Sequence, residues 1–197
     1  VAVTGGACTG KSTVLGHLES FGAVCFSADQ FARDLTRPGS PLLLPLAAVA
    51  GRDVLAEDGS LVRRRLAQRI FADDALRRQV EAILHPPIME AMRRASDADP
   101  HPIQCFEIPL LVESGLQELY DRVVLCRCGR AEQLRRLTER LAGNSALARR
   151  IIASQATDSE RRPYADYVVM TNRPREAVKR RVERIFANLG RGLAVRV

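Results

Sequence analysis

The strongest constraint on this chain is Gly5-Gly6-Ala7-Cys8-Thr9-Gly10-Lys11-Ser12, a G-x-x-x-x-G-K-[ST] loop set between the apolar run 1–4 and the apolar-periodic segment 12–21. Val14, Leu15, Leu18 and Phe21 recur on one helical face, and Gly22 stops the pattern. In that strand, loop and helix order the backbone N–H groups cradle phosphate oxygens and the positive end of the helix faces them. Lys11 reaches the terminal phosphates and Ser12 can hold magnesium. Lys11 is one of only two lysines among 30 basic residues, so drift explains it poorly. The motif commits the chain to binding a nucleoside triphosphate at the edge of a parallel sheet with covering helices.

The rest of the chain fits that start. Residues 23–26, 103–108, 122–126 and 167–170 read as four further strands, with helices over about 130–141 and 175–189. A five-stranded α/β sheet with right-handed crossovers follows. Residues 31–102 are too many for one crossover and carry helix-like stretches at 41–50, 61–71, 74–84 and 87–95, with a turn at Asp58-Gly59. They predict a helical lobe inserted between a core made of 1–30 and 103–197. Within that core, residues 142–162 hold Arg149, Arg150, Arg161 and Arg162. Two readings stand for them, a solvated helix face or a helical lid that closes over phosphate.

Composition removes other classes. With 197 residues, 46% of them apolar, the chain buries a sizeable core and is neither disordered nor a disulfide miniprotein. A net charge of +7 suits nucleic acid, an anionic membrane face or a phosphorylated small molecule. Six Phe, three Tyr and no Trp, not interleaved with basic residues, argue against a polynucleotide surface. No run approaches a membrane span and the opening lacks a signal-peptide pattern, so the expectation is a cytoplasmic protein without membrane or nucleic-acid partners. Five scattered cysteines read as reduced thiols, and Cys126-x-Cys128 without a second pair is a poor zinc site.

What the triphosphate serves depends on other residues. No guanine-reading Asn-Lys-x-Asp occurs, and strand 103–108 carries Glu107 without the adjacent acids of a motor ATPase. A small-molecule kinase needs an acceptor lobe, a nearby carboxylate and a basic lid, and all three have candidates. Asp29, just past the second strand, either caps the following segment or orients an acceptor hydroxyl and takes its proton; Ser27 could cap too.

The motifs together resemble the dephospho-coenzyme A kinase family over nearly the full length. The resemblance rests on Val3-Thr4-Gly5-Gly6 leading to Gly10-Lys11-Ser12-Thr13, on Ser27-Ala28-Asp29 with Ala32-Arg33, and on Pro38-Gly39. Asp58-Gly59-Ser60-Leu61, Phe71-Ala72-Asp73 and Ile83-Leu84-His85-Pro86 follow in order. So do Ile108-Pro109-Leu110-Leu111, Glu113-Ser114-Gly115, Arg140, Gln155, Ala165-Asp166 and Asn172. It implies transfer of the ATP γ-phosphoryl group to the ribose 3′-hydroxyl of 3′-dephospho-coenzyme A, by a P-loop kinase-like core with an acceptor-binding lobe and a lid. A monomer or weak homo-oligomer acting on a small molecule is expected. Another nucleoside monophosphate or small-metabolite kinase, or a nucleotide-dependent RNA-binding module, are the alternatives.

Carried onto this chain, the resemblance implies ATP contacts from Gly6, Cys8, Thr9, Gly10, Lys11, Ser12, Thr13, Arg140 and Asn172. It implies catalytic roles for Asp29, Lys11 and Arg140, acceptor contacts from Asp29, Arg63, His85 and Gln155, and magnesium at Ser12 and Glu107. Four positions depart from the family pattern. Cys8 replaces a glycine, Ser27 and Val62 replace aspartates, and Glu107 stands for an aspartate, either meeting magnesium through water or being satisfied by the loop. His85, read as ending a helix, either caps carbonyls or contacts the acceptor. Gln155 and Asn172 could instead satisfy local backbone groups.

Overall fold

The computed structural model describes residues 1–193. Five strands, β1 (Ala2–Thr4), β2 (Val24–Ser27), β3 (Gln104–Glu107), β4 (Val123–Arg127) and β5 (Tyr167–Met170), form one sheet in the order β2-β3-β1-β4-β5. Every neighbouring pair is parallel. The expected five-stranded parallel sheet is therefore present, and its order has a direct consequence for the site. Because β3 and β4 flank β1 on opposite sides, the loop leaving β1 opens at the switch point of the sheet, where such folds bind ligands.

Helix α1 (Lys11–Ser20) and helix α9 (Arg175–Leu193) pack together on the sheet. Val14, Leu15 and Leu18 from α1 meet Val178, Val182, Ile185 and Leu189 from α9 over Val3, Cys105, Val124, Cys126 and Val169. Val3, Val14, Leu18 and Val182 are fully buried, each contributing about 1.5–3 kcal/mol of hydrophobic stabilisation. Helix α6 (Arg130–Arg140) carries α7 (Ser145–Ala153) against it, burying Leu137, Ala148, Ile151 and Ile152. A four-residue helix, α8 (Asp158–Arg161), begins with a Thr157/Glu160 capping box.

The chain divides into two compact units, Val1–Ser27 with the chain from Pro100 onward, and Ala28–Asp99. The boundary expected after residue 30 falls earlier because β2 runs straight into helix α2 (Ala28–Leu35), so Asp29 belongs to the helical unit and to the helix itself. That unit also holds α3 (Leu43–Ala50), α4 (Arg63–Ile70) and α5 (Asp74–Ala98) around Leu46, Ala47, Ala50, Val54, Leu66 and Val80.

One expectation fails here. The stretches 74–84 and 87–95 are a single 25-residue helix running through Pro86 and Pro87, so His85 sits in mid-helix and does not end one. The two prolines remove two helical donors, yet buried Val80 on one side and Ile88 and Met92 on the other hold both arms in packing, which outweighs the local cost. Asp73 caps the helix, accepting from Ala75 N at 2.8 Å and Leu76 N at 3.1 Å. No helix among the described residues is long and apolar enough to cross a membrane.

Candidate active site

In the loop after β1 the carbonyls of Gly5, Gly6, Ala7 and Thr9 each accept from a side-chain donor. Lys11 Nζ donates to the carbonyls of Gly5 and Gly6, each at 3.1 Å, and Thr9 Oγ1 to that of Gly6 at 2.9 Å. Gln133 Nε2 holds the Ala7 carbonyl at 3.0 Å and Thr171 Oγ1 that of Thr9 at 2.6 Å. The N–H groups of Cys8, Gly10, Lys11 and Ser12 have no protein acceptor among the described residues. Gly10 enters α1 at φ +87° with no side-chain cap, and a Cβ on it would meet the Thr171 side chain at 2.9 Å. Unpaired donors at a helix N-terminus, with a buried lysine beside them, make an anion cradle.

The acid of the site is Glu107, 5% exposed at the end of β3. Its register partners are Val3 and Ser27, so the sheet itself brings it beside the loop. Ser27 Oγ donates to Glu107 Oε2 at 3.1 Å and Ser12 Oγ to Oε1 at 3.5 Å. A hydroxyl and a carboxylate from Ser12 and Glu107 are hard oxygen donors, the kind magnesium takes when substrate phosphates and water complete its shell. Cys126, completely buried near Lys11 and Glu107, has its thiol pushed up to about 12 by burial.

The arginine-rich segment is joined to this loop and to the core. Gln155, following α7, accepts the Ala7 N–H at 2.8 Å, so in this state its side chain rests on the phosphate loop. Arg127 Nε reaches Asp158 at 2.6 Å. Arg161, one of the four arginines read as either a solvated face or a lid over phosphate, is instead 2% exposed and paired with Glu113 at 2.7 Å. Its neighbours Arg149, Arg150 and Arg162 are exposed, as is Arg140 in the last turn of α6 and Asn172 after β5.

In the helical unit, Asp29 is exposed in the first turn of α2, where its charge suits the helix end. Arg63, the first residue of α4, donates to Thr36 Oγ1 at 2.8 Å and to the Arg33 carbonyl at 3.2 Å, both at the far end of that same α2. Burial, then the nearby Arg33 charge, lowers the Arg63 pKa. His85 is half-buried in α5.

The dephospho-CoA kinase family profile matches residues 1–176. The chain belongs to the dephospho-CoA kinase family. It is 40% identical to a dephospho-CoA kinase of Anaeromyxobacter dehalogenans over 98% of this chain and 93% of that one. With a dephospho-CoA kinase of Frankia casuarinae it shares 41% identity, over 96% and 82%. The fold matches the crystal structure of TT1252 from Thermus thermophilus with TM-score 0.77 and 25% identity, covering 95% and 96% of the two chains. It also matches a Campylobacter jejuni dephospho-CoA kinase structure with TM-score 0.67 at 22% identity, over 97% and 96%, a likeness of fold.

Three contacts of this dephospho-CoA kinase family site had no signal in the sequence. Gln133 and Thr171 hold loop carbonyls, and Arg136 donates to the Thr171 carbonyl at 3.1 Å while pairing with Glu132 at 2.7 Å. They come from α6 and from the turn after β5, more than a hundred residues from the loop, and only the strand order brings them to it.

Proposed function

We propose that this chain transfers the γ-phosphoryl group of ATP to the ribose 3′-hydroxyl of 3′-dephospho-coenzyme A, giving coenzyme A and ADP. The observation that carries the reading is the loop, with its carbonyls taken up by side-chain donors and the N–H groups of Cys8, Gly10, Lys11 and Ser12 without a protein acceptor among the described residues, in a chain of this family. Phosphoryl transfer runs through a loose transition state, so positioning and charge supply most of the catalysis.

In this reading the N–H groups from Gly6 to Thr13 hold the β- and γ-phosphates, and the Lys11 ammonium leaves the Gly5 and Gly6 carbonyls to follow the transferred group. Asp29 orients the acceptor hydroxyl and takes its proton late. Arg140 adds positive charge as the 142–162 segment closes as a lid, and Asn172 meets the nucleotide. Arg63, His85 and Gln155 contact the acceptor; the Arg33 and Arg63 guanidiniums suit its pyrophosphate, which their planar forks match. Ser12 and Glu107 would hold magnesium, which when bound neutralises charge on the β- and γ-phosphate oxygens. The enzyme works in the cytoplasm on small molecules, as a monomer or weak homo-oligomer.

The test is direct. Purified protein given ATP and 3′-dephospho-coenzyme A yields 3′-phosphorylated coenzyme A, read by mass and phosphorus NMR. Faster turnover of a nucleoside monophosphate or a sugar acid would replace this reading with that of another small-metabolite kinase.

A further inference from the structure

The Ala7–Cys8 peptide is held from outside the loop, and the way it is held concerns a strained residue. Cys8 lies at φ +57°, in the left-handed region that a Cβ disfavours. Glycine occupies that region freely. Gln133, in the first turn of α6, donates Nε2 to the Ala7 carbonyl at 3.0 Å. A trans peptide is planar, with its carbonyl and the following N–H pointing opposite ways. Fixing the Ala7 carbonyl on Gln133 therefore aims the Cys8 N–H away from α6.

Gln133 is itself well placed to act as a fixed strut. Its backbone N–H closes onto the Gly129 carbonyl at 2.9 Å, and the adjacent Glu132 clamps both Arg135 and Arg136. The side-chain amide abuts Gly6, since a Cβ on Gly6 would stand 2.3 Å from Gln133 Nε2. Gly6 is bare where Gln133 crosses it.

We propose that Gln133 is a positioning residue for ATP. It holds Cys8 in the left-handed conformation that presents the Cys8 N–H to a phosphate oxygen, a conformation this cysteine does not keep unaided. Without the strut the loop relaxes to negative φ at residue 8, and ATP must rebuild the strained form on binding. The proposal rests on the loop's being the triphosphate site and is independent of which acceptor is phosphorylated.

The experiment is a double-mutant cycle with binding as its first readout. Gln133→Met keeps length and packing and removes the donor; Gln133→Leu, likewise uncharged and without a donor, is the second variant. Each is made in the wild-type chain and in a Cys8→Gly background, with thermal unfolding recorded throughout. ATP affinity is measured by calorimetry, and KM and kcat by turnover. In the wild-type chain loss of the donor should raise the Kd and KM for ATP about tenfold, the size of the left-handed penalty, with the change falling on KM and not on kcat. In the Cys8→Gly background the same substitution should raise Kd no more than about twofold, because glycine carries no such penalty. Equal losses in both backgrounds overturn the link to Cys8. A lowered kcat at unchanged Kd overturns the positioning role. If the wild-type chain binds ATP and leaves 3′-dephospho-coenzyme A untouched, the acceptor reading falls while the Kd cycle still decides this one.

Discussion

Glu113 Oε1 receives the guanidinium of Arg161 at 2.7 Å and the backbone N–H of Ala156 at 2.8 Å, where Arg161 is 2% exposed. The pair ties the end of the arginine-rich segment to the turn after β3, so Glu113 holds structure and leaves phosphate to others. Glu113→Ala would strand a buried guanidinium, with a cost of about 3 kcal/mol. That should lower Tm by roughly 6–12 °C in a chain of this length. Glu113→Gln keeps an acceptor and should cost less. A Tm within 1–2 °C of wild type for the alanine variant, on the usual scale of neutral surface changes, would show the pair to be dispensable.

The same anchor bears on the proposed lid. Arg127–Asp158 and Arg161–Glu113 pin α8, whereas α7 is joined to the loop by Gln155 on the Ala7 N–H, a group that phosphate would compete for. Hydrogen exchange with an ATP analogue and acceptor together should therefore slow most across Ser145–Ala153, with Asp158–Arg161 changing little. Uniform protection of both helices would contradict a closure confined to α7, and no protection anywhere in 142–162 would remove the lid.

Lys11 is buried with its ammonium on two loop carbonyls, so its removal leaves the sheet and the α1–α9 core untouched. Lys11→Ala should retain the unfolding profile and lose roughly 10²- to 10³-fold in kcat/KM, the range for deleting one charged transition-state donor. Wild-type turnover from the purified variant would take Lys11 out of the mechanism.

Much of this was legible because it was local. A strand of four residues, a glycine loop and an amphipathic helix carry their signals within twenty positions, and the five strands appeared at their places to within a residue or two. The continuous α5 was not legible, because Pro86-Pro87 reads as a break and only tertiary burial of Val80, Ile88 and Met92 overrules it. Neither was the Ser27 hydroxyl on Glu107, which depends on β2 and β3 being neighbours in register, or Arg161 on Glu113. Arginines in adjacent pairs look alike in sequence, and only packing separates the buried one from the three exposed. Gln133 and Thr171 carry no motif, since an amide or hydroxyl aimed at a carbonyl leaves no periodic trace.

Asp29 tests the acceptor side. Its carboxylate stands exposed in the first turn of α2, without an ion pair or hydrogen bond among the described residues, while Glu107 is buried and engaged by Ser12 and Ser27. A ribose hydroxyl is a weak nucleophile until aimed, and an exposed, unengaged carboxylate can accept its proton where a buried one already receiving two hydroxyls is better suited to a cation. His85 is half-buried in the middle of α5, and the proposed reading gives it an acceptor contact and no proton transfer. Asp29→Asn keeps size and one acceptor while deleting the charge, so kcat should fall roughly 10²-fold or more, within the range for acid–base groups, with ATP affinity unchanged. His85→Gln should chiefly raise KM for the acceptor. Near-normal kcat for Asp29→Asn at saturating acceptor, with chemistry shown to be rate-limiting, would transfer the base to another group, and Glu107→Gln losing activity through a magnesium-dependent KM for ATP would keep Glu107 on the nucleotide side.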